Sequence, residues 1–136
     1  MSGVTETIEF IRGCDHFFTA TLDENEQPRV RPFNLIFEAD GNIIIGTGTH
    51  KDVYRQFQAH PRIEISAYNS STLKWIRASG KVVEDTKAEY VKKAFESNIY
   101  LKDIYNEQTG LEMVLYRIEE LHSTVYSFTD KPVVLV

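Results

Sequence analysis

Along the first two thirds of the chain, apolar residues either alternate with polar ones or gather in short runs, and both patterns predict strands. Phe17 to Leu22 (FFTATL) is rich in strand formers and stops at the polar turn Asp23-Glu24-Asn25-Glu26. Arg29 to Ala39 follows as one strand, ended by Asp40-Gly41-Asn42, a hairpin signal. Asn42 to Thr47 carries Ile43-Ile44-Ile45, which is apolar on both faces and so predicts a central strand. Arg62 to Asn69 alternates Ile63, Ile65 and Ala67 against Glu64, Ser66 and Tyr68. Leu73 to Asp85 is a further strand, and Met113 to Phe128 supplies one or two more, bent near Glu119-Glu120.

Helical spacing fills the gaps. Thr49 to Ala59 sets Val53 and Phe57 four apart, with Pro61 as its stop. Thr86-Lys87-Ala88-Glu89 has the form of a capping box opening a helix to about Ser97, with Val91, Ala94 and Phe95 inward. A short helix is expected within Ile99 to Tyr105. The expected fold is mainly β with helices at the connections: a six-stranded antiparallel barrel, residues 1–136 forming a single domain without repeats or linkers.

Composition narrows this picture. With 136 residues, 42% apolar and 26% charged, the chain reads as an ordinary globular domain. Its one cysteine, Cys14, permits neither an internal disulfide nor a cysteine-based zinc site, and the expected compartment is the cytoplasm. No apolar run approaches the roughly 18 to 20 residues of a membrane span, and Met1 to Ile11 lacks a signal-peptide pattern. A net charge of −5 argues against nucleic acid as a partner. Between Pro28 and Val82, however, eight basic residues face four acidic ones, an excess of four positive charges in an acidic protein. That is either a local site for a small anion or a solvated strand face.

Position favours the site. Gly46-Thr47-Gly48 closes a buried strand and a helix follows at once; Thr49 and Asp52, three apart, are expected to place Thr49 at the N-cap with His50 and Lys51 in the first turn. A helix N-terminus attracts anions, two glycines let backbone approach, and two hydroxyls and an ammonium add donors suited to a phosphate monoester. Taken alone, these residues are better described as a capped, solvated helix. Arg29-Val30-Arg31-Pro32-Phe33 adds to them: on a strand Arg29, Arg31, Phe33, Leu35 and Phe37 share one face, and Pro32 marks either an edge strand or an interruption of the ladder that would free neighbouring backbone groups. Paired through the Asp40-Gly41 hairpin, this strand is expected to bring Arg31 beside Thr47 to Lys51. Trp75 and Arg77 share a strand face, an arrangement that suits either a planar ring or a subunit interface.

The stretches "FFTATLDENEQPRVRPF", "IIIGTGTHKDVYRQFQAHPRIEI" and "LKWIRASGKVVED", in this order, resemble the pyridoxamine 5′-phosphate oxidase-like split-barrel flavoproteins, and within them the short members related to nitroimidazole-resistance proteins. The resemblance spans about residues 8 to 128. It implies a split barrel and a homodimer holding flavin mononucleotide (FMN) at the subunit interface. Carried across, Arg31, Thr47, Thr49 and Lys51 would hold the phosphate, with Arg29 beside them. Backbone around Pro32, Phe33 and Asn34 would lie along the flavin ring, and Trp75 and Arg77 would come from the other subunit. The closing "STVYSFTDKPVVLV" has no counterpart to the tryptophan- and arginine-bearing segment with which the true oxidases hold their substrate.

The expected function is therefore FMN binding with flavin-dependent oxidoreduction of a small molecule, a reduced nicotinamide as electron donor and a quinone or nitroaromatic as acceptor by analogy. A deazaflavin is the alternative cofactor. A non-catalytic protein that stores or senses a flavin or haem-like ligand on the same barrel is the alternative function. The four histidines show no metal-ligand spacing, and no nucleophile–base pair appears, so no catalytic residue is named.

Overall fold

The computed structural model describes residues 2–136. Helix α1 (Gly3–Arg12) leads into β1 (Phe17–Leu22), β2 (Pro28–Phe33), β3 (Ile36–Ala39) and β4 (Asn42–Gly48). Helix α2 (Asp52–Ala59), β5 (Arg62–Asn69), β6 (Lys74–Glu84), α3 (Ala88–Ser97), α4 (Leu101–Ile104), β7 (Met113–Tyr126) and β8 (Val133–Val134) complete the order. Eight strands form the antiparallel sheet where six were expected. The sequence pattern fused β2 and β3 into one strand, and β8 is only two residues long.

Sheet order explains why this sheet is a barrel. The path runs β2-β1-β5-β6-β7-β4-β3, so β2 and β3 are its two edges although only Asn34 and Leu35 separate them in the chain. Six inter-strand steps would hold the edges of a flat sheet about 29 Å apart. Three residues from Phe33 to Ile36 reach at most about 11 Å. The sheet must curl until its edges meet. No ladder joins β2 to β3, so the barrel stays split along that seam.

Burial follows from the curl. Phe17, Phe33, Ile43, Ile45, Ile63, Ile65, Ile76 and Ile118 fill the interior, joined by Ile8 and Ile11 of α1 and Val53 and Phe57 of α2. A second cluster lies outside the sheet, where Leu35, Phe37, Ile44 and Leu115 receive Tyr90, Ala94 and Leu101. The isoleucine run in β4 is thus covered on both faces, as its pattern predicts, but β4 is not central: it lies beside the edge strand β3, and α3 and α4 cover its outer face. Asp40 (φ 52°) and Gly41 (φ 77°) make the tight β3–β4 hairpin. β7 is one long strand with a kink: Glu120 has φ 54°, opposite a register shift between Ser79 and Lys81. Helix α1 carries the Thr7-Ile8-Ile11 stripe, docked partly through a Thr7–Ser123 hydroxyl pair at 2.6 Å.

Neither expected capping box forms. Helix α2 starts at Asp52 with Lys51 as N-cap, and α3 starts at Ala88 with Lys87; neither helix has a side-chain cap. Thr49 spends its N–H on the Glu112 carbonyl at 3.0 Å, so a turn precedes the helix. Thr86 instead accepts from the Leu115 N–H at 3.1 Å and fixes the chain against β7.

Candidate functional site

The seam and α2 together build a cationic corner. On β2, Arg31 stands opposite Thr19 of β1, and its guanidinium donates to the Thr19 carbonyl at 3.0 Å and to Thr21 Oγ1 at 2.8 Å. A third bond runs to Gln56 Oε1 on α2 at 2.6 Å. All three acceptors are neutral, and among the described residues no carboxylate forms a salt bridge with Arg31. Burial pulls the guanidinium below its ordinary pKa, opposed by the more distant Asp52 carboxylate, yet arginine stays charged at any working pH. A partly buried cation of this kind has an unmet demand for negative charge.

Two neighbouring cations are already paired. Arg29 meets Asp23 at 3.0 Å and Arg55 meets Asp52 at 2.7 Å. Lys51 has no such partner among the described residues and faces solvent at the uncapped start of α2. Asp23, Arg29, Arg31, Lys51, Asp52 and Gln56 line a cavity of about 520 Å³. A second cavity of about 330 Å³ opens beyond Lys51, bounded by Pro32, Phe33, Asn34 and Thr47, with Tyr100 and Tyr105 among its walls. Both volumes lie near those of ordinary ligand sites. Lys51 lines both, so one ammonium, unpaired among the described residues, is shared by the two cavities.

The residues singled out by sequence do not all come together. Arg29, Arg31 and Lys51 lie together at the first cavity, and Pro32, Phe33, Asn34, Thr47 and Lys51 at the second. Thr49 lines neither. Trp75 and Arg77 are on the outer sheet face: Trp75 stacks on Tyr126 at 5.8 Å between ring centres, and Arg77 is paired with Glu64 at 3.1 Å. Arg31 and Lys51 meet by a different route from the expected hairpin. β2 pairs with β1, and only Ile36–Ala39 pairs with β4; curling of the sheet and the placing of α2 bring the two cations to one rim.

Thr21 and Gln56 are the participants that sequence reading missed. Gln56 is 7% exposed and shares the buried stripe of α2 with Val53 and Phe57. A polar residue at a core position of a helical stripe was the available signal. Close backbone approach also shapes the rim: a Cβ at Gly48 would fall 2.5 Å from the His50 ring and 2.8 Å from the Tyr105 hydroxyl. No group of acidic, histidine or cysteine residues that could hold a metal occurs among the described residues. No described helix is long and apolar enough to cross a membrane.

The family model for pyridoxamine 5′-phosphate oxidase matches residues 5–123. A NimC/NimA family protein from Clostridium acetobutylicum is 34% identical, with 98% of this chain and 91% of that one covered at a TM-score of 0.86. General stress protein 26 from Bacillus anthracis is similar in fold at 16% identity, 98% and 96% coverage and a TM-score of 0.69. So is the haem storage protein of Vibrio cholerae, at 12% identity, 93% and 95% coverage and a TM-score of 0.65. Among curated proteins, none matches this chain.

Proposed function

This chain belongs to the pyridoxamine 5′-phosphate oxidase family, and from that premise we propose that it binds FMN as a homodimer and carries out flavin chemistry on a small molecule. The observation that carries the proposal is Arg31: a guanidinium held in place by three neutral oxygens, with its charge uncancelled and part of its donor set unspent. The donor set fits a phosphate monoester. Arg31 supplies a fixed fork, Lys51 a mobile ammonium, and α2 an uncapped N-terminus at the same cavity.

In this reading Arg31 and Lys51 hold the phosphate, Arg29 steers it from outside, and Thr47 and the backbone at Pro32, Phe33 and Asn34 wall the ring. Bound FMN supplies two-electron redox chemistry; the chain's own residues bind, orient and shield it. The proposed donor is a reduced nicotinamide and the acceptor a small planar molecule.

A second subunit accounts for Trp75 and Arg77. The outer face of β2, β1, β5 and β6 carries Val30, Phe18, Tyr68 and Trp75, and none of them belongs to either buried cluster. Val30 is 68% exposed and Phe18 44%, which supports this face as the surface that meets a second copy.

Titration of the purified protein with FMN, followed by flavin fluorescence, tests the reading. We expect one flavin per protomer, about tenfold or greater weakening in Lys51→Ala, and a larger loss in the Arg31→Ala, Lys51→Ala double variant. Protein that leaves FMN fluorescence unchanged overturns it. Parallel titrations with a deazaflavin and with haemin decide the ligand, and the fold likeness to a haem storage protein is the reason to include haemin. Flavin binding with no bleaching by reduced nicotinamide under anaerobic conditions, and no nicotinamide oxidation when an acceptor is added, favours the storage alternative.

A further inference from the structure

We infer that Gln56 is a positioning residue that holds Arg31 for the phosphate and so makes the site prefer phosphorylated over unphosphorylated flavin. The inference rests on the FMN reading above and assigns the source of its phosphate selectivity.

The hydrogen-bond directions within the cluster are fixed by chemistry. Arginine only donates, so Gln56 must present its carbonyl oxygen, Oε1, to Nη2 at 2.6 Å. Thr21 accepts from Arg31 Nη1 at 2.8 Å, and its single proton goes on to the same Oε1 at 2.5 Å. One amide oxygen therefore receives two bonds, and Arg31, Thr21 and Gln56 form a closed triangle. Thr21 is 4% exposed and Gln56 7%, while Thr19 behind them is fully buried. The triangle ties β1, β2 and α2 together at the cavity rim and leaves the guanidinium little freedom to rotate.

Residue type matters here. Glutamate in place of Gln56 would fit the same volume and accept the same bonds, but its charge would satisfy Arg31 internally. The two other arginines on this cavity show that outcome, each already matched to a carboxylate, Asp23 or Asp52. A neutral acceptor fixes the geometry of the cation without spending its charge. Phosphate recognition needs both properties at once.

The test is the ratio of riboflavin to FMN dissociation constants, measured by fluorescence titration on the whole protein. Riboflavin shares the ring and lacks the phosphate, so a structural defect weakens both ligands alike. We expect Gln56→Glu to weaken FMN by about 10- to 100-fold and riboflavin by less than about threefold, collapsing the preference. Gln56→Met keeps the volume and removes the acceptor; it should lower the ratio less and leave the charge of Arg31 available. Should Gln56→Glu fail to fold, the Met variant decides by the same ratio. An unchanged ratio in a folded variant overturns the role of Gln56 while FMN binding stands. Wild-type protein that binds neither flavin overturns both.

Discussion

Phe33 and Ile36 lie three residues apart in the chain and at opposite edges of the sheet, six strands removed from one another along its path. Asn34 and Leu35 bridge the edges, and Leu35 is buried where it crosses. A Cβ at Gly46 would stand 2.6 Å from Leu35 Cδ2 and 2.8 Å from Leu115 Cδ2. Gly46→Ala should therefore destabilise the fold by about 1 to 3 kcal/mol through overpacking beneath the bridge. Thermal unfolding reads this directly, and a melting temperature equal to that of the wild type would refute it.

The Thr7–Ser123 pair should be worth more together than its members suggest singly. Thr7 donates its one proton to the Gly3 carbonyl at 2.7 Å, so Ser123 is the donor in the 2.6 Å hydroxyl contact. Both residues are fully buried. Thr7→Val strands the Ser123 hydroxyl and should cost about 1 to 3 kcal/mol. The double variant with Ser123→Ala should cost less than the sum of the singles, as denaturant titrations of all four proteins would show.

Tyr116 offers the opposite case. Its hydroxyl is buried without a hydrogen-bond partner, and burial drives its pKa upward. Tyr116→Phe removes an unmet polar group and keeps the ring against Phe57, 4.8 Å away between centres. We expect unchanged or higher thermal stability. A clear loss would mean that the hydroxyl has a partner in solution.

Acid stability should depend on Asp23. The Gln27 N–H lowers its pKa most, with the Asn25 N–H and Arg29 adding to the effect against partial burial. A carboxyl depressed in the folded state contributes stability above its unfolded pKa, about 3.9, and loses it as the pH falls through the folded value. Asp23→Asn should thus melt lower than the wild type at neutral pH, with the gap narrowing below about pH 4. A gap that stays constant down to strong acid would exclude the assignment.

Subunit contact is the remaining expectation. Phe18→Asp places a charge on the exposed outer face without touching the core. Sedimentation should shift towards monomer, and FMN affinity should fall with it while circular dichroism stays native. An unaltered dimer with normal FMN binding would locate the interface elsewhere.

Much of this was legible in the chain and some was not, for physical reasons. Local signals worked where local forces decide: the Asp40-Gly41 turn, the Ile43-Ile45 run and the alternation of Arg62–Asn69 all became the elements they describe. Pro32 was the one local sign of the edge that β2 forms; the break after Phe33 itself was hidden, because Leu35 and Phe37 continue the alternation and only closure of the sheet separates β2 from β3. Thr49 looked like a cap and became a turn because the Glu112 carbonyl claims its N–H. At the site, residue types announced a cationic corner, but the neutrality of its acceptors depends on Gln56, which arrives from another element.

The seam between β2 and β3 has a dynamic meaning. Since no backbone ladder crosses it, opening there breaks no inter-strand backbone hydrogen bond and sacrifices mainly side-chain contacts. Breathing of the barrel should therefore run along this line at lower free energy than global unfolding. Arg31 and Thr47 belong to different sides of it. A ligand that touches both acts as a clasp, and slowed amide exchange at the two edges would record its arrival.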